Sequence, residues 1–371
     1  MAMLGVGGVG VRLLPAGGAG PSGRTGSQVS RGRRGVSAVR VSSGGGEAQV
    51  SEKSSSEKSL PGLSVPDSLE SSGPIPAGTP SFKRDEPLTK HNTWEIGGPA
   101  ALFLEVSTLL EMRQAMVYFA ENSTRWMALG KGSNSLFDDR GYDGCVVLNR
   151  VDFLETDGEG TFRAGAGYDF NKLGALASKL EWSGLEFGSG IPGAVGGAVF
   201  MNAGANGQET VDTLVSVEVV DSQGNYRVLS REELLPGFGY RTSPFQAKSS
   251  EWIIYAATFK LSAWDGARAK QMELMAKRRK TQPVASRSCG CVFQNPAPGV
   301  PAGKLIDDLG LKGWREGGAE VSEVHGNFVV NAGGSTARDV LKLVERLKAK
   351  VLQESGYELH EEIRFVPYSS E

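Results

Sequence analysis

Hydrophobic and polar positions between residues 81 and 371 follow two different periods, which predict helices and strands in mixed order. Helical spacing of apolar positions predicts helices at 107–122, 171–182, 267–280, 303–309 and 335–354. Short apolar runs and two-residue alternation predict strands at 126–129, 145–148, 161–164, 214–220, 226–229, 252–261, 291–293, 328–331 and 358–366. Because these elements do not form strict βαβ units, the pattern favours an α+β fold over one doubly wound sheet.

Individual residues predict where several helices begin and where one chain reversal lies. Ser107 is the expected N-cap of the first helix. The polar run 223–225, with Gly224 in the middle, predicts a hairpin between the two strands around it. Ser230 and Glu233 have the spacing of a capping box, which predicts a short helix after that hairpin.

The composition is that of an ordinary globular chain, with 39% hydrophobic and 22% charged residues and a net charge of −2. A charge so close to zero gives no electrostatic argument for a nucleic-acid partner, since such proteins concentrate positive charge. No apolar run reaches the about 18 residues of a membrane-spanning helix, so we expect no membrane partner. Three cysteines are too few for a disulfide framework and favour a reducing compartment. The sequence does not indicate an oligomeric state.

The N-terminal part of the chain differs from the rest. Residues 1–46 contain six arginines and neither a lysine nor an acidic residue, which predicts a transit peptide. Their abundance of Gly and Ser favours a plastid, and so the chloroplast stroma, over a mitochondrion; the alternative is a natively disordered tail. Residues 47–80 are rich in Ser, Glu, Lys and Pro and predict a disordered linker. The folded part is therefore expected to start at Ser81.

Glycine is unusually abundant, with 51 residues, and two segments are particularly rich in it. Residues 129–136 follow a predicted buried strand, and residues 188–204 form a longer tract of small residues. Such loops expose consecutive backbone N–H groups to an anion such as a pyrophosphate; the alternative is tight packing of small side chains.

Two matches to the dinucleotide pattern GxGxxG, at 5–10 and 188–193, do not predict a Rossmann fold. The first match lies in the targeting segment and has no strand before it. The second has Pro192 inside the turn and lacks the acidic residue that a Rossmann site places about twenty positions later.

Seven further motifs occur in an order that is found in one enzyme family. They lie at 91–100, 238–243, 290–296, 302–306, 317–322, 325–328 and 359–364. With the two glycine-rich segments, they make residues 88–366 resemble the UDP-N-acetylenolpyruvoylglucosamine reductases, also called UDP-N-acetylmuramate dehydrogenases. The resemblance implies a two-part FAD-binding region of the vanillyl-alcohol-oxidase/PCMH type at 81–262, with a subdomain boundary near 150, and a C-terminal α+β substrate-binding domain at 263–371.

The resemblance also implies an activity. It is the NADPH-dependent, FAD-mediated reduction of UDP-N-acetylenolpyruvoylglucosamine, a UDP-sugar enolpyruvyl ether, to UDP-N-acetylmuramate in peptidoglycan precursor synthesis. By motif position, Arg241 would clamp the substrate carboxylate, Cys291 would protonate C2 after hydride reaches C3, and Glu362 would support the enolic intermediate by hydrogen bonding. On residue type alone, the alternatives are a surface cation for Arg241 and a solvent-facing strand residue for Glu362.

The same resemblance implies which residues hold the ligands. Those implied for FAD are Thr93, Gly130, Lys131, Gly132, Ser133, Asn134, Gly190, Ile191, Pro192, Gly193, Gly196, Gly197, Asn202 and Gly204. Those implied for the substrate are Tyr240, Asn295, His325 and Asn327. No metal site is expected, because the Cys289–Cys291 pair has no second cysteine pair and the chain has only three histidines.

The chain departs from the family pattern at a few positions. Cys291 stands where most of the family has Ser. A thiol, with an ordinary pKa of about 8.5, is a stronger acid than an alcohol and is still mostly protonated at neutral pH. The alternative for Cys291 is a small buried hydrophobic residue. Lys131 stands where Gly is commoner and Ser135 where Leu is usual, and neither removes a group that the flavin site needs. No insertion corresponds to the substrate-closing Tyr loop of one subgroup, so the chain resembles the other.

Two other functions compete with this interpretation. The first is an FAD-linked oxidase of the same fold, but such enzymes often tether FAD through His or Cys, and the loop at 131–134 contains neither. The second is a non-catalytic plastid protein that retains the fold. The presence of Arg241, Cys291 and Glu362 argues against such a loss of activity.

Overall fold

The computed structural model describes residues 39–42, 75 and 78–369, and for 39–42 only the backbone. Apart from these few positions, the predicted transit peptide at 1–46 and the predicted linker at 47–80 lie outside the described residues. The α-helices are α1 (Leu109–Glu121), α2 (Phe170–Lys179), α3 (Val195–Phe200), α4 (Arg231–Leu234), α5 (Pro244–Ala247), α6 (Ala267–Thr281), α7 (Ala302–Asp308) and α8 (Ala337–Ser355).

Short strands connect and flank these helices. They are β1 (Val39–Ser42), β2 (Lys83–Pro87), β3 (Pro99–Val106), β4 (Trp126–Leu129), β5 (Ser135–Phe137), β6 (Tyr142–Asn149), β7 (Phe153–Thr156), β8 (Thr161–Gly165), β9 (Trp182–Ser183), β10 (Gly204–Ala205), β11 (Gln208–Glu209), β12 (Leu214–Asp221), β13 (Tyr226–Ser230), β14 (Trp252–Lys260), β15 (Ser262–Ala263), β16 (Arg315–Glu316), β17 (Ala319–Val321), β18 (Val329–Asn331) and β19 (Arg364–Val366). Helices and strands are mixed as the α+β prediction requires.

The first sheet has the strand order β2-β3-β6-β4. Its strands β3, β6 and β4 run parallel, with α1 as the crossover between β3 and β4. Met112, Met116 and Phe119 of α1 are buried in one core with Val147 of β6. Because parallel strands end at the same edge of a sheet, Leu129 at the end of β4 leads the chain into the first glycine-rich segment at that edge.

The second sheet is antiparallel and has the order β1-β7-β8-β14-β12-β13. Its strand β14 is buried on both faces. Ile254 and Phe259 belong to a core that includes residues of α2 and α3, whereas Ile253 and Tyr255 belong to the core that includes α1. Coverage on both faces explains why this strand is a continuous apolar run rather than an alternating one.

The C-terminal region places α7 and α8 with the small sheet β16-β17-β18. Val340, Val344, Leu347 and Val351 of α8 are buried, which confirms the predicted apolar face of this helix. The core of the region also contains Trp94, from the N-terminal part of the folded chain, whose indole Nε1 donates to the carbonyl of residue 329 over 2.9 Å. The predicted domain limits at 150 and 262 stay predictions.

Several local predictions are confirmed. β12 and β13 form the expected antiparallel hairpin around Gly224. Ser230 and Glu233 form the expected capping box at the start of α4. Within residues 78–369, no helix combines the length and the apolar composition that crossing a bilayer requires.

Other local predictions are wrong. The N-cap of α1 is Thr108 rather than Ser107, because the Thr108 hydroxyl accepts from the Glu111 N–H in a capping box. The strand expected at 291–293 is reduced to a single bridge between Phe293 and Glu361. The strand expected at 358–366 is limited to β19, which pairs in parallel with β5.

Candidate active site

A cavity of about 640 Å³ lies between the two glycine-rich segments, a volume that suits a small-molecule or cofactor site. Most residues that the sequence implied for FAD line it, namely Gly130, Lys131, Gly132, Ser133, Asn134, Ile191, Pro192, Gly193, Gly196, Gly197 and Gly204. Its wall also contains Arg241, Cys291 and Glu362. The fold therefore brings the expected cofactor loops and the expected catalytic residues to one cavity.

Direct contacts hold the two glycine-rich segments against each other. The Ser133 hydroxyl donates to the carbonyl of Pro192 over 2.7 Å. Lys131 forms an ion pair with Asp169, the N-cap of α2. Lys131, which departs from the family pattern, thus ties the first segment to the helix that precedes the second.

Thr93, Gly190 and Asn202, which were also implied for FAD, do not line this cavity. The Thr93 hydroxyl donates to the carbonyl of Ser288 over 2.6 Å. Asn202 is fully buried, and its Nδ2 donates to the carbonyl of Gly239 over 2.9 Å. Both side chains hold neighbouring backbone in place, and their assignment to FAD stays a prediction.

The cavity walls fit FAD in two respects. At Gly197 a Cβ atom would meet no heavy atom within 4 Å, so bare backbone forms the wall there. Arg278 also lines the cavity, and its buried Nε has no hydrogen-bond partner within the described ranges. Since buried donors in native proteins are almost always paired, this donor is left for a ligand.

Replacing Gly197 by Leu should therefore give a folded protein that does not retain FAD. Position 197 lies in α3 outside the left-handed backbone region, so a Cβ atom there requires no backbone strain and points into open space at the cavity. Flavin absorbance of the purified protein measures retention, and circular dichroism checks the fold. Ala276→Leu, on an exposed position of α6, is the control and should stay yellow. A yellow Gly197→Leu protein would contradict this placement of FAD.

The catalytic residues expected from the sequence are close together. Arg241 Nε donates to Glu362 Oε1 over 2.5 Å, and its Nη2 donates to the carbonyl of Gly204 over 3.0 Å. The backbone N–H of Glu362 donates to the carbonyl of Val292 over 2.7 Å, which places Glu362 beside the segment that begins with Cys291. The loop that carries Arg241 adopts a left-handed conformation at that residue, with φ of 56°, to aim the side chain inward.

The three expected catalytic residues have pKa values that are shifted by their surroundings. Arg241 is a permanent cation, whereas burial favours the protonated forms of Glu362 and Cys291. Burial raises the pKa of Glu362 above its ordinary value, and the charge of Arg241 opposes that rise only in part. Burial alone would lower the pKa of Arg241, but the charge and hydrogen bond of Glu362 outweigh it and raise that pKa. Burial first, and the charge of Glu362 second, raise the pKa of Cys291 to about 12. The thiol therefore carries its proton throughout the neutral range.

The residues implied for the substrate lie outside the cavity wall. Tyr240 is 46% exposed, its ring is 5.0 Å from the Arg241 guanidinium, and its hydroxyl accepts from the Asn295 N–H over 3.4 Å. The Asn327 amide donates to and accepts from the backbone of Phe293, which supports the segment next to Cys291. Their role in binding substrate stays a prediction.

The other two residues implied for the substrate, His325 and Asn295, also accept hydrogen bonds from backbone N–H groups. His325 Nδ1 accepts from the Asn327 N–H over 3.1 Å, and burial lowers the pKa of His325. Asn295 Oδ1 accepts from the N–H of Ala302, the first residue of α7. These two side chains therefore shape the loops around the segment that carries Cys291.

Sequence reasoning missed several polar side chains that line the cavity, among them Arg278, Gln282 and Arg364. Arg364 was within the motif at 359–364, and its guanidinium lies 4.7 Å from the centre of the Phe200 ring. Arg278 belongs to a run of four basic residues at 277–280, of which only this one lines the cavity. A charged run on an exposed helix does not by itself reveal which member turns inward.

The two neighbouring cysteines both line the cavity. Cys289 is buried, and its Sγ lies 3.6 Å from the carbonyl oxygens of Gly132 and Ser135 in the first glycine-rich segment. Cys291 is the less buried of the two. In the part of the chain that the structure covers, no group of three or more His, Cys, Asp or Glu side chains has the arrangement of a metal site.

Comparisons with known proteins agree with this geometry. Residues 100–230 match the family model "FAD binding domain", and residues 282–366 match "UDP-N-acetylenolpyruvoylglucosamine reductase, C-terminal domain". The UDP-N-acetylenolpyruvoylglucosamine reductase of Protochlamydia amoebophila is 48% identical over 295 residues, which cover 79% of this chain and 97% of that protein. The reductase of Chlamydia abortus is 44% identical over 288 residues, 78% of this chain and 95% of that one.

A solved structure shows the same likeness. The crystal structure of the reductase from Thermus caldophilus superposes with a TM-score of 0.65 at 36% identity. The superposition covers 77% of this chain and 99% of that one. The similarity thus extends over both the cofactor loops and the C-terminal region that carries Cys291 and Glu362.

Proposed function

The chain belongs to the UDP-N-acetylenolpyruvoylglucosamine reductase family and is an FAD-dependent oxidoreductase of peptidoglycan precursor synthesis; we propose that it uses NADPH as its hydride donor and acts in the plastid stroma. Its reaction is the reduction of UDP-N-acetylenolpyruvoylglucosamine to UDP-N-acetylmuramate. The observation that carries the assignment is that the Arg241–Glu362 pair and Cys291 line one cavity between the glycine-rich segments.

The residues of this cavity match the needs of the reaction. FAD would be held by the two glycine-rich segments and would supply hydride transfer from the nicotinamide donor to the vinyl C3 of the substrate. Negative charge then develops on the enolate-like carboxylate of the substrate, and Arg241 supplies a fixed positive charge to stabilise it. Burial favours the neutral form of Glu362. Once the substrate carboxylate engages the charge of Arg241, Glu362 can therefore hydrogen-bond to this oxygen as the neutral acid.

Protonation at C2 completes the reduction. Cys291 keeps its proton at neutral pH and lies at the cavity, so it can transfer that proton to the carbon. The thiolate left behind is stabilised by the positive charges of Arg241 and Arg278 until it takes a proton from solvent. Hydride at C3 and a proton at C2 account for both hydrogens that the product gains.

The donor and the substrate can be tested in one assay. The purified protein with FAD and NADPH should consume one NADPH for each UDP-N-acetylenolpyruvoylglucosamine added, as measured by loss of nicotinamide absorbance. NADH should support a lower rate at equal concentration, and the flavin-free Gly197→Leu protein is the control and should consume none. Steady consumption of oxygen without the UDP-sugar would favour the FAD-linked oxidase instead.

The plastid location rests on the composition of residues 1–46, with six arginines and no acid. A fusion of residues 1–80 to a fluorescent reporter should therefore enter chloroplasts when expressed in plant cells. A fusion of residues 81–371 should stay in the cytosol and serves as the control. Diffuse cytosolic signal from the 1–80 fusion would contradict the proposed location.

A further inference from the structure

The C-terminal end of α6 carries two buried polar atoms that the protein itself does not satisfy. Gln282 is the C-cap that follows α6, its N–H donates to the carbonyl of Arg278, and the side chains of both residues line the cavity. Arg278 Nε and Gln282 Oε1 are buried and have no hydrogen-bond partner among residues 78–369. One atom is a donor and the other an acceptor, so they match a ligand edge that presents an acceptor beside a donor.

The charge of this cavity also requires a ligand. Arg241 is paired with Glu362, but neither Arg278 nor Arg364 forms an ion pair with any carboxylate of the described chain. Burial lowers the pKa of Arg278, as expected for a guanidinium that has no anionic partner. A ligand that is negatively charged near Arg278 would remove this imbalance.

The position of Arg278 indicates which part of the cavity is concerned. A Cβ atom at Gly190 would lie 3.1 Å from Arg278 Cδ, so the side chain extends along the second glycine-rich segment. Arg278 lines the same cavity as Cys291 and the Arg241–Glu362 pair. Arg278 therefore lies where the second glycine-rich segment meets that cavity.

Two molecules in this reaction have a suitable edge. The pyrimidine ring of the isoalloxazine and the uracil of the UDP-sugar both present a carbonyl oxygen next to an imide N–H. In the UDP-sugar, the uracil is separated from the reacting vinyl group by the sugar and the diphosphate, whereas the pyrimidine ring is part of the reacting flavin. The position of Arg278 against the second glycine-rich segment, which is implied for FAD, therefore favours the flavin.

We propose that Arg278 and Gln282 bind the pyrimidine edge of the isoalloxazine, with Arg278 Nε donating to a ring carbonyl and Gln282 Oε1 accepting from the imide N–H. The inference rests on the proposed function for its cofactor. A guanidinium at this edge stabilises the negative charge that the pyrimidine ring carries after reduction. Arg278 therefore raises the reduction potential of the bound flavin and favours its reduction by the nicotinamide donor.

The test is the flavin midpoint potential of the full-length FAD-loaded protein, measured without substrate by equilibration with a reference dye. Arg278→Met should lower the equilibrium constant for flavin reduction at least about tenfold, which is about 30 mV for two electrons. Arg278→Lys should recover part of the loss because it restores the charge without the Nε donor. Arg279→Met, at the exposed next position, should leave the potential unchanged.

Further measurements distinguish binding of the flavin edge from binding of the uracil edge, and only FAD-loaded proteins are compared. Gln282→Glu places a negative charge at the same edge and should also lower the potential. Titration with UMP should give native affinity in every variant. A native potential in the FAD-loaded Arg278→Met or Gln282→Glu protein overturns the proposal, and weakened UMP binding with a native potential assigns the edge to the substrate. Because no arm uses turnover, a failure of the proposed reaction is seen separately.

Discussion

Cys291→Ala should leave reduction of the flavin by NADPH nearly unchanged and slow its reoxidation by the enolpyruvyl substrate by about 10²–10⁴-fold, the usual contribution of a positioned general acid. The first half-reaction requires no proton at C2, whereas the second cannot finish without one. Stopped-flow absorbance at the flavin band resolves the two halves in a single experiment.

Two variants make this result specific. Cys291→Ser should recover much of the rate, because it restores a hydroxyl at the position where most of the family has Ser. Cys145→Ala removes a buried thiol from the core that includes α1, away from the cavity, and it should leave both half-reactions near native. If Cys291→Ala reoxidises at the native rate, the thiol is a packing residue and Glu362 becomes the first candidate for the proton donor.

Arg241→Met should slow the second half-reaction by at least about 10²-fold, the usual cost of losing one group that stabilises developing negative charge. The variant removes the cation that would face the substrate carboxylate and also leaves Glu362 buried without its partner. Substrate affinity should fall as well, whereas reduction of the flavin by NADPH should stay near native. The same stopped-flow experiment, repeated over a range of substrate concentrations, separates affinity from rate.

Arg241→Lys should rescue only part of the loss. A lysine keeps the charge, but it cannot bond both Glu362 and the carbonyl of Gly204 as the planar guanidinium does. Arg279→Met is the control for removing a cation from the surface and should leave both half-reactions unchanged. Equal slowing of both halves in Arg241→Met would show that the residue maintains the fold rather than the transition state.

The parts of the fold that the sequence predicted well are those in which local and tertiary preferences agree. In α8, Val340, Val344, Leu347 and Val351 recur at helical spacing and all lie on the buried face, so the pattern and the structure coincide. The hairpin around Gly224 is similar, because its turn residues determine the pairing of β12 with β13.

Prediction failed where long-range contacts determine the structure. The run at 291–293 has the apolar character of a strand, but the amide of Asn327 bonds both backbone groups of Phe293 and takes the place of a neighbouring strand. The strand β3 was missed because Gly97, Gly98 and Pro99 at its start resemble a loop, and its pairing with β6 involves residues far away in the chain. Partners so far away in the chain leave no local signal.

The candidate site also contains some residues that the sequence predicted and others that it did not. Arg241, Cys291 and Glu362 were found through their motifs, and the fold brings them to one cavity. Asn295 and Asn327 were implied by their motifs as substrate-binding residues. The structure shows that their side-chain amides hydrogen-bond to backbone, and their role in binding substrate stays a prediction. Arg278 and Gln282 had no signal beyond a charged helix end.

The pairing of β19 with β5 means that the reactive centre is built from the two ends of the folded chain. The Asn134 amide donates to the carbonyl of Glu362 across 228 positions of sequence, and the N–H of Arg364 donates to the carbonyl of Asn134. Closing so long a loop is entropically costly and slow. Nearly the whole polypeptide must therefore leave the ribosome before the carboxyl group of Glu362 can reach the cavity. A chain that ends a dozen residues early lacks Glu362 and β19, so it keeps the glycine-rich segments but not the complete reactive centre.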